Sequence, residues 1–189
     1  MIKSIKNTTV FILTALISVF IVFTLFAAGT QSLIEVKAAS IPGPTDIEND
    51  TAPLAASAEL SEYENAVAAL INNYRASNGV GPVAYDGSVT YVAKLRSQDL
   101  LDRDYFSHYT PEGTTVFNLL REEGISFSRA GENLGHARPA GIGSPEAFLD
   151  AWAKSPSHNA NMLKAIYAKI GVGMVENGDR IVVTTVFTN

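Results

Sequence analysis

"KIGVGMVENGDRIVVTTVFT", residues 169–188, reads as two β-rich runs joined through Asn177-Gly178. Asn-Gly between alternating apolar residues is a strong short-range hairpin signal, because both residues tolerate the positive φ that a tight turn needs. The stretch "ISFSRA" (125–130) supplies material for a third strand. Upstream and between these strands the texture is helical.

"SEYE" (61–64) is a capping box, with Ser61 as N-cap and Glu64 three residues on. Leu60, Tyr63, Val67, Leu70, Ile71 and Tyr74 follow at helical spacing, and Gly79 stops this first helix. A second helix is expected from about Ser88 to Arg103, with Val89, Val92, Leu95 and Leu100 inward. "TTVFNLLREEG" (114–124) gives a third, closed by Gly124. Ser144-Pro145 opens a fourth and Ser155-Pro156 a short fifth, each with a cap followed by Pro at the first helical position. Helices that precede and flank a small antiparallel sheet argue for an α+β domain, layered α-β-α, over residues 59–189.

The N-terminus reads differently. Lys3 and Lys6 precede an apolar run from Val10 to Ala28, the layout of an export signal, although the run approaches the length of a membrane span. "VKAAS" (36–40) then offers Val36 and Ala38 at the −3 and −1 positions of a small-residue cleavage site. Residues 1–38 are thus expected to be a signal peptide cleaved after Ala38, or else a membrane anchor that leaves the remainder facing outward. Residues 39–58 carry three Pro, small residues and acids without apolar periodicity, and read as a disordered linker. Removing residues 1–38 takes away three Lys and one Glu, so 11 basic and 18 acidic residues remain and the net charge is −7. Nucleic acid and anionic lipid surfaces are poor partners for such a chain. An exported domain of this size with no Cys suggests a bacterial protein whose core suffices without disulfides.

Three histidines are available: His108 in "FSHYTPEG", His136 in "GENLGHARP" and His158 in "SPSHNANML". His108 lies in the loop after the second helix, where functional side chains concentrate. His158 falls at N3 of the short fifth helix if Ser155 is its cap. Each also has an ordinary structural reading. Glu132 stands in "AGENLG" (130–135), where the flanking glycines would permit a tight turn or a close approach. Two His and one Glu are the ligand set of some zinc hydrolases, but spacings of 24 and 26 residues leave their assembly to the tertiary fold. There is no Cys nucleophile, G-x-S-x-G elbow or phosphate loop. Trp152, with Phe148 and Leu149, reads as core.

"HYTPEG", "AGENLG", "AW…SPSHNANML" and "KIGVGMV…VTTVFT", in this order, resemble the CAP superfamily of cysteine-rich secretory proteins, antigen 5 and pathogenesis-related 1, in its bacterial SCP-like extracellular form. The resemblance spans roughly residues 62–188. It implies a three-layer α-β-α sandwich with a cleft lined by two His and acidic residues that sometimes holds a divalent metal. Carried over by motif, His108, Glu132 and His158 are the cleft residues and the metal ligands, with Zn2+ as the ion. Asn133, Ser155 and Asn161 line the same cleft. The second acid of the animal and plant pattern is replaced here by Ser155, which weakens a two-carboxylate mechanism. The implied activity is a secreted, monomeric binding module whose His/Glu cleft takes a divalent metal and an envelope or host ligand, such as a lipid, peptide or envelope component. A metal-dependent hydrolase using the same cleft is the other reading.

Overall fold

The structure, a computed structural model, describes residues 58–189 in full and residues 33–42 as backbone. The apolar run 10–28 and residues 43–57 of the expected linker lie outside the described residues.

The C-terminal hairpin forms as read. Strand β4 (Lys169–Asn177) pairs antiparallel with β5 (Arg180–Thr188), and Asn177 is opposite Arg180. The turn residues are therefore Gly178 and Asp179, one position beyond the expected pair, with Gly178 at φ 58°. The third strand is longer than "ISFSRA" suggests: β3 runs Arg129–Arg138 and pairs antiparallel with β5. "AGENLG" thus lies inside a strand and makes no turn. Two further strands complete the sheet. β2 (Ala84–Tyr85) adds parallel to β4, and β1 (Leu33–Pro42) adds antiparallel to β3, giving the order β1-β3-β5-β4-β2. The sheet is therefore mixed and five-stranded. Because β1 includes Ala39 to Pro42, the first residues of the expected linker are strand here.

Five helices flank the sheet: α1 (Glu62–Ser77), α2 (Gly87–Asp102), α3 (Val116–Glu122), α4 (Pro145–Lys154) and α5 (Pro156–Met162). Their caps follow the sequence. Ser61 and Glu64 form the reciprocal capping box of α1, Asp86 caps α2 by accepting from Ser88 and Val89, and Ser144 Oγ accepts from Ala147 N at the start of α4.

Alternation along β5 sorts the two faces. Ile181, Val183 and Phe187 join Val67, Ile71, Phe148, Trp152, Met162 and Tyr167 in one buried cluster, so α1, α4 and α5 cover that face. Val182 packs with Leu100, Leu101 and Leu134, and Val186 with Val89, Val92, Ala93, Val116, Phe117 and Leu120, so α2 and α3 cover the other. The result is the three-layer α-β-α sandwich. On α2 the buried positions are Val89, Thr90, Val92, Ala93, Arg96, Ser97, Leu100 and Leu101, whereas Leu95, expected inward, is exposed. A charged residue takes the position that the apolar pattern assigned to its neighbour.

The two open edges of a sheet need partners for their backbone amides. Along β4, Thr90 Oγ1 accepts from Val172 N at 3.3 Å and Glu64 Oε1 from Met174 N at 2.8 Å. The capping-box glutamate of α1 therefore also closes a sheet edge, with Lys94 Nζ at 3.1 Å from its other oxygen. Arg75, buried on the same helix, donates to the carbonyls of Gly81 at 2.7 Å and Met162 at 2.6 Å, which ties α1 to the loop before β2 and to the end of α5. Burial lowers its guanidinium pKa.

The α2 layer meets the sheet at two glycines. A β-carbon at Gly173 would stand 2.2 Å from the carbonyl carbon of Ala93, and one at Gly171 2.3 Å from that of Val89. Both obstacles are backbone and cannot rotate away. Gly173→Ala is therefore expected to lose about 3 kcal/mol of stability or more, the upper end of overpacking costs. Urea denaturation monitored by circular dichroism measures it, and an unchanged midpoint would contradict the close packing of α2.

Candidate functional site

Arg96, fully buried on α2, builds the site. Its Nε donates to Glu132 Oε1 on β3 at 3.2 Å. Its Nη1 reaches Asp99 Oδ2 at 3.4 Å and the Tyr105 hydroxyl, and its Nη2 donates to the carbonyl of Ser107. One guanidinium thus pins the loop after α2 to the central sheet. Tyr105 in turn donates to the Asp99 carboxylate. Burial and that bond push its phenol up to about 12, so it stays a donor.

The same loop delivers His108. Its Nδ1 lies 2.5 Å from Glu132 Oε2, with the Glu132 side chain 1% exposed. A carboxylate only accepts, so the imidazole Nδ1 donates and Nε2 of a neutral ring carries the lone pair. His108 Nε2 is buried and has no hydrogen-bond partner among the described residues. Glu132 was expected to face two imidazoles; it faces one imidazole and one guanidinium. Its glycine neighbours serve packing. A β-carbon at Gly131 would meet the Tyr167 hydroxyl at 2.5 Å and one at Gly135 the Phe148 ring at 2.5 Å.

His158, Ser155, Asn133 and Asn161 gather on the other side of β3. Ser155 is the N-cap of α5 and His158 its N3 residue, as read from the sequence. The serine hydroxyl makes no backbone cap; it lies 2.6 Å from His158 Nδ1 instead. Asn161 Nδ2 donates to the Glu132 carbonyl at 3.1 Å and meets Asn133 Oδ1 at 3.0 Å, while Asn133 Nδ2 donates to the His158 carbonyl at 3.3 Å. The two asparagines hold α5 against β3. His136 stays out of this group and stacks on Phe106, ring centroids 4.4 Å apart. Trp152 is core, with Nε1 donating to the Leu134 carbonyl at 3.0 Å.

The donor set does not match the expected zinc centre. Glu132 spends both oxygens on Arg96 and His108, and two imidazoles alone fall short of the three protein ligands that catalytic zinc uses. Among the described residues no group of three or more His, Cys, Asp or Glu is placed to hold a metal ion. Glu132, expected as a metal ligand, is here the positioning partner of His108. Arg96 went unread in the sequence because a lone Arg in a helix ordinarily marks a solvated face. Its only signal was its place in the 89-92-93-96-100 register.

A model of the CAP family, the cysteine-rich secretory protein family, matches residues 68–188. The chain belongs to that family. Among similar proteins, YkwD of Bacillus subtilis (strain 168) is 34% identical over 135 residues, covering 71% of this CAP chain and 51% of its own. The membrane protein YlbC of the same strain is 28% identical over 111 residues, 59% of this chain and 31% of its own. The match therefore spans about half of one relative's length and less than a third of the other's. An extracellular SCP-domain protein from Bacillus anthracis superposes with a TM-score of 0.59 at 28% identity, over 67% of this chain and 40% of that one. An outer surface protein of Borrelia burgdorferi shares the fold, with a TM-score of 0.63 at 20% identity over 71% and 98% of the two chains. Among the described residues no helix is long and apolar enough to cross a membrane.

Nitrogen-15 NMR of the imidazoles at alkaline pH tests the Glu132–His108 contact. His108 is expected as the Nδ1–H tautomer, and Glu132→Gln should abolish that bias, because an amide can donate as well as accept. A His108 ring with mixed tautomers in the unaltered protein would contradict the geometry.

Proposed function

We propose that this CAP protein is a secreted binding module whose cleft, bordered by His108 and His158, holds a ligand from the cell envelope or a host. One observation carries the choice of binding over metal-dependent hydrolysis: Glu132 is committed to Arg96 and His108. The two imidazoles then lack the third protein ligand of a catalytic zinc, and Ser155 stands where the second acid of the animal and plant pattern would be. What the site offers is two imidazoles held in place, His108 by Glu132 and His158 by Ser155, suited to hydrogen-bonding a ligand. The export signal read at residues 1–38 and the extracellular SCP-domain relative support secretion.

Titration with ZnCl2 and incubation with casein and an ester substrate separate the two readings. The binding module is expected to show no turnover above background and no stoichiometric zinc site. One zinc per chain, lost in His108→Ala and in His158→Ala together with measurable hydrolysis, would establish the metal-dependent hydrolase instead.

A further inference from the structure

The two edges of the sheet are treated differently. At the β4 edge the protein's own side chains accept from the exposed amides, through Thr90 and Glu64. Along β3 the carbonyls of Ala130, Glu132 and Leu134 accept from Tyr167, Asn161 and Trp152. On the side away from β5, β3 faces main chain along its whole length. What lies along that edge is β1, in unbroken antiparallel register from Leu33 opposite Arg138 to Pro42 opposite Arg129.

The register places β1 across the candidate site. Ala38 is opposite Asn133 and Ala39 opposite Glu132, the residue that holds His108. β1 also packs against α5, which carries His158, and against α4. An extended main chain therefore runs beside the strand that carries Glu132 and against the helix that carries His158. The bond expected to be cut on export, Ala38–Ala39, lies in the middle of this ladder. Cleavage there detaches Leu33 to Ala38 and uncovers β3 opposite Asn133 to Arg138.

We propose that the β3 edge is a strand-addition site for an extended peptide of a partner protein, and that residues 33–42 occupy it in the uncut chain as an internal stand-in. The proposal rests on the binding-module reading and names its ligand class. Main-chain hydrogen bonds to β3 supply the affinity, as in other strand-addition complexes. A ligand bound this way needs an uninterrupted run of backbone amides and carbonyls more than any particular side chain.

The test uses the full chain in detergent and a Lys37→Pro/Ala38→Pro variant. In an antiparallel strand alternate amides face the neighbour, so two adjacent prolines remove the one facing β3 whichever it is. Hydrogen exchange across residues 129–138 is expected to be faster in the variant by roughly tenfold or more. Excess synthetic peptide LIEVKAASIP should restore protection in the variant, and the same peptide N-methylated at its Lys and first Ala should not. Equal exchange in the two chains would overturn the proposal, as would peptide that fails to protect or an N-methylated peptide that protects equally. Protection of the variant that appears without peptide and rises with protein concentration would assign the edge to a second copy of this chain, which also overturns it. None of these outcomes bears on turnover, so the binding-module reading stands or falls on the zinc and hydrolysis measurements alone.

Discussion

Arg96 and Glu132 form an ion pair with almost no exposure on either side, 0% and 1%. Removing two charges from water costs several kcal/mol per ion, which their attraction offsets only when the remaining donors and acceptors are also satisfied. The surrounding structure follows from that requirement. Arg96 needs acceptors beyond Glu132, and finds them at Asp99, Tyr105 and the Ser107 carbonyl. Meeting them fixes the course of the chain after α2, and that course brings His108 to the second oxygen of Glu132.

The sandwich decides what this pair can position. Side chains alternate across β3, so Glu132 reaches the α2 layer while its neighbour Asn133 reaches α5 and the His158 carbonyl. Each histidine therefore arrives from a different layer, and the strand between them, β3, lies between β1 and β5 in the sheet. A family named for its cysteines achieves this here with no Cys. The cross-ties are polar: Arg96 to Glu132, Arg75 to the Met162 carbonyl at the end of α5, and Trp152 to the Leu134 carbonyl.

Elements governed by local rules were legible in the sequence. The Ser61–Glu64 box, the Ser-Pro starts of α4 and α5, the hairpin near Gly178 and the place of His158 at N3 each depend on residues within a turn of one another. The motif order pointed to the family and so to the three layers. What escaped depends on distant partners. The glycines of "AGENLG" left a tight turn or a close approach open, and only the fold decides for the close approach, of Tyr167 and Phe148 against a strand. Leu95 looked buried and Arg96 went unread, because nothing local indicates that a carboxylate 36 residues away will meet the guanidinium. The pairing of Glu132 escaped for the same reason: the histidines and Glu132 were all named, but Arg96 was not.

A double-mutant cycle on this pair tests the account most directly, with stability of the unaltered protein, Arg96→Met, Glu132→Gln and the double variant measured by urea denaturation. If the buried pair organises the site, each single change strands a buried partner and loses about 3–5 kcal/mol. The double variant should then lose no more than the worse single change, giving a coupling of several kcal/mol. Losses that simply add would show that Arg96 and Glu132 act independently and would contradict the account.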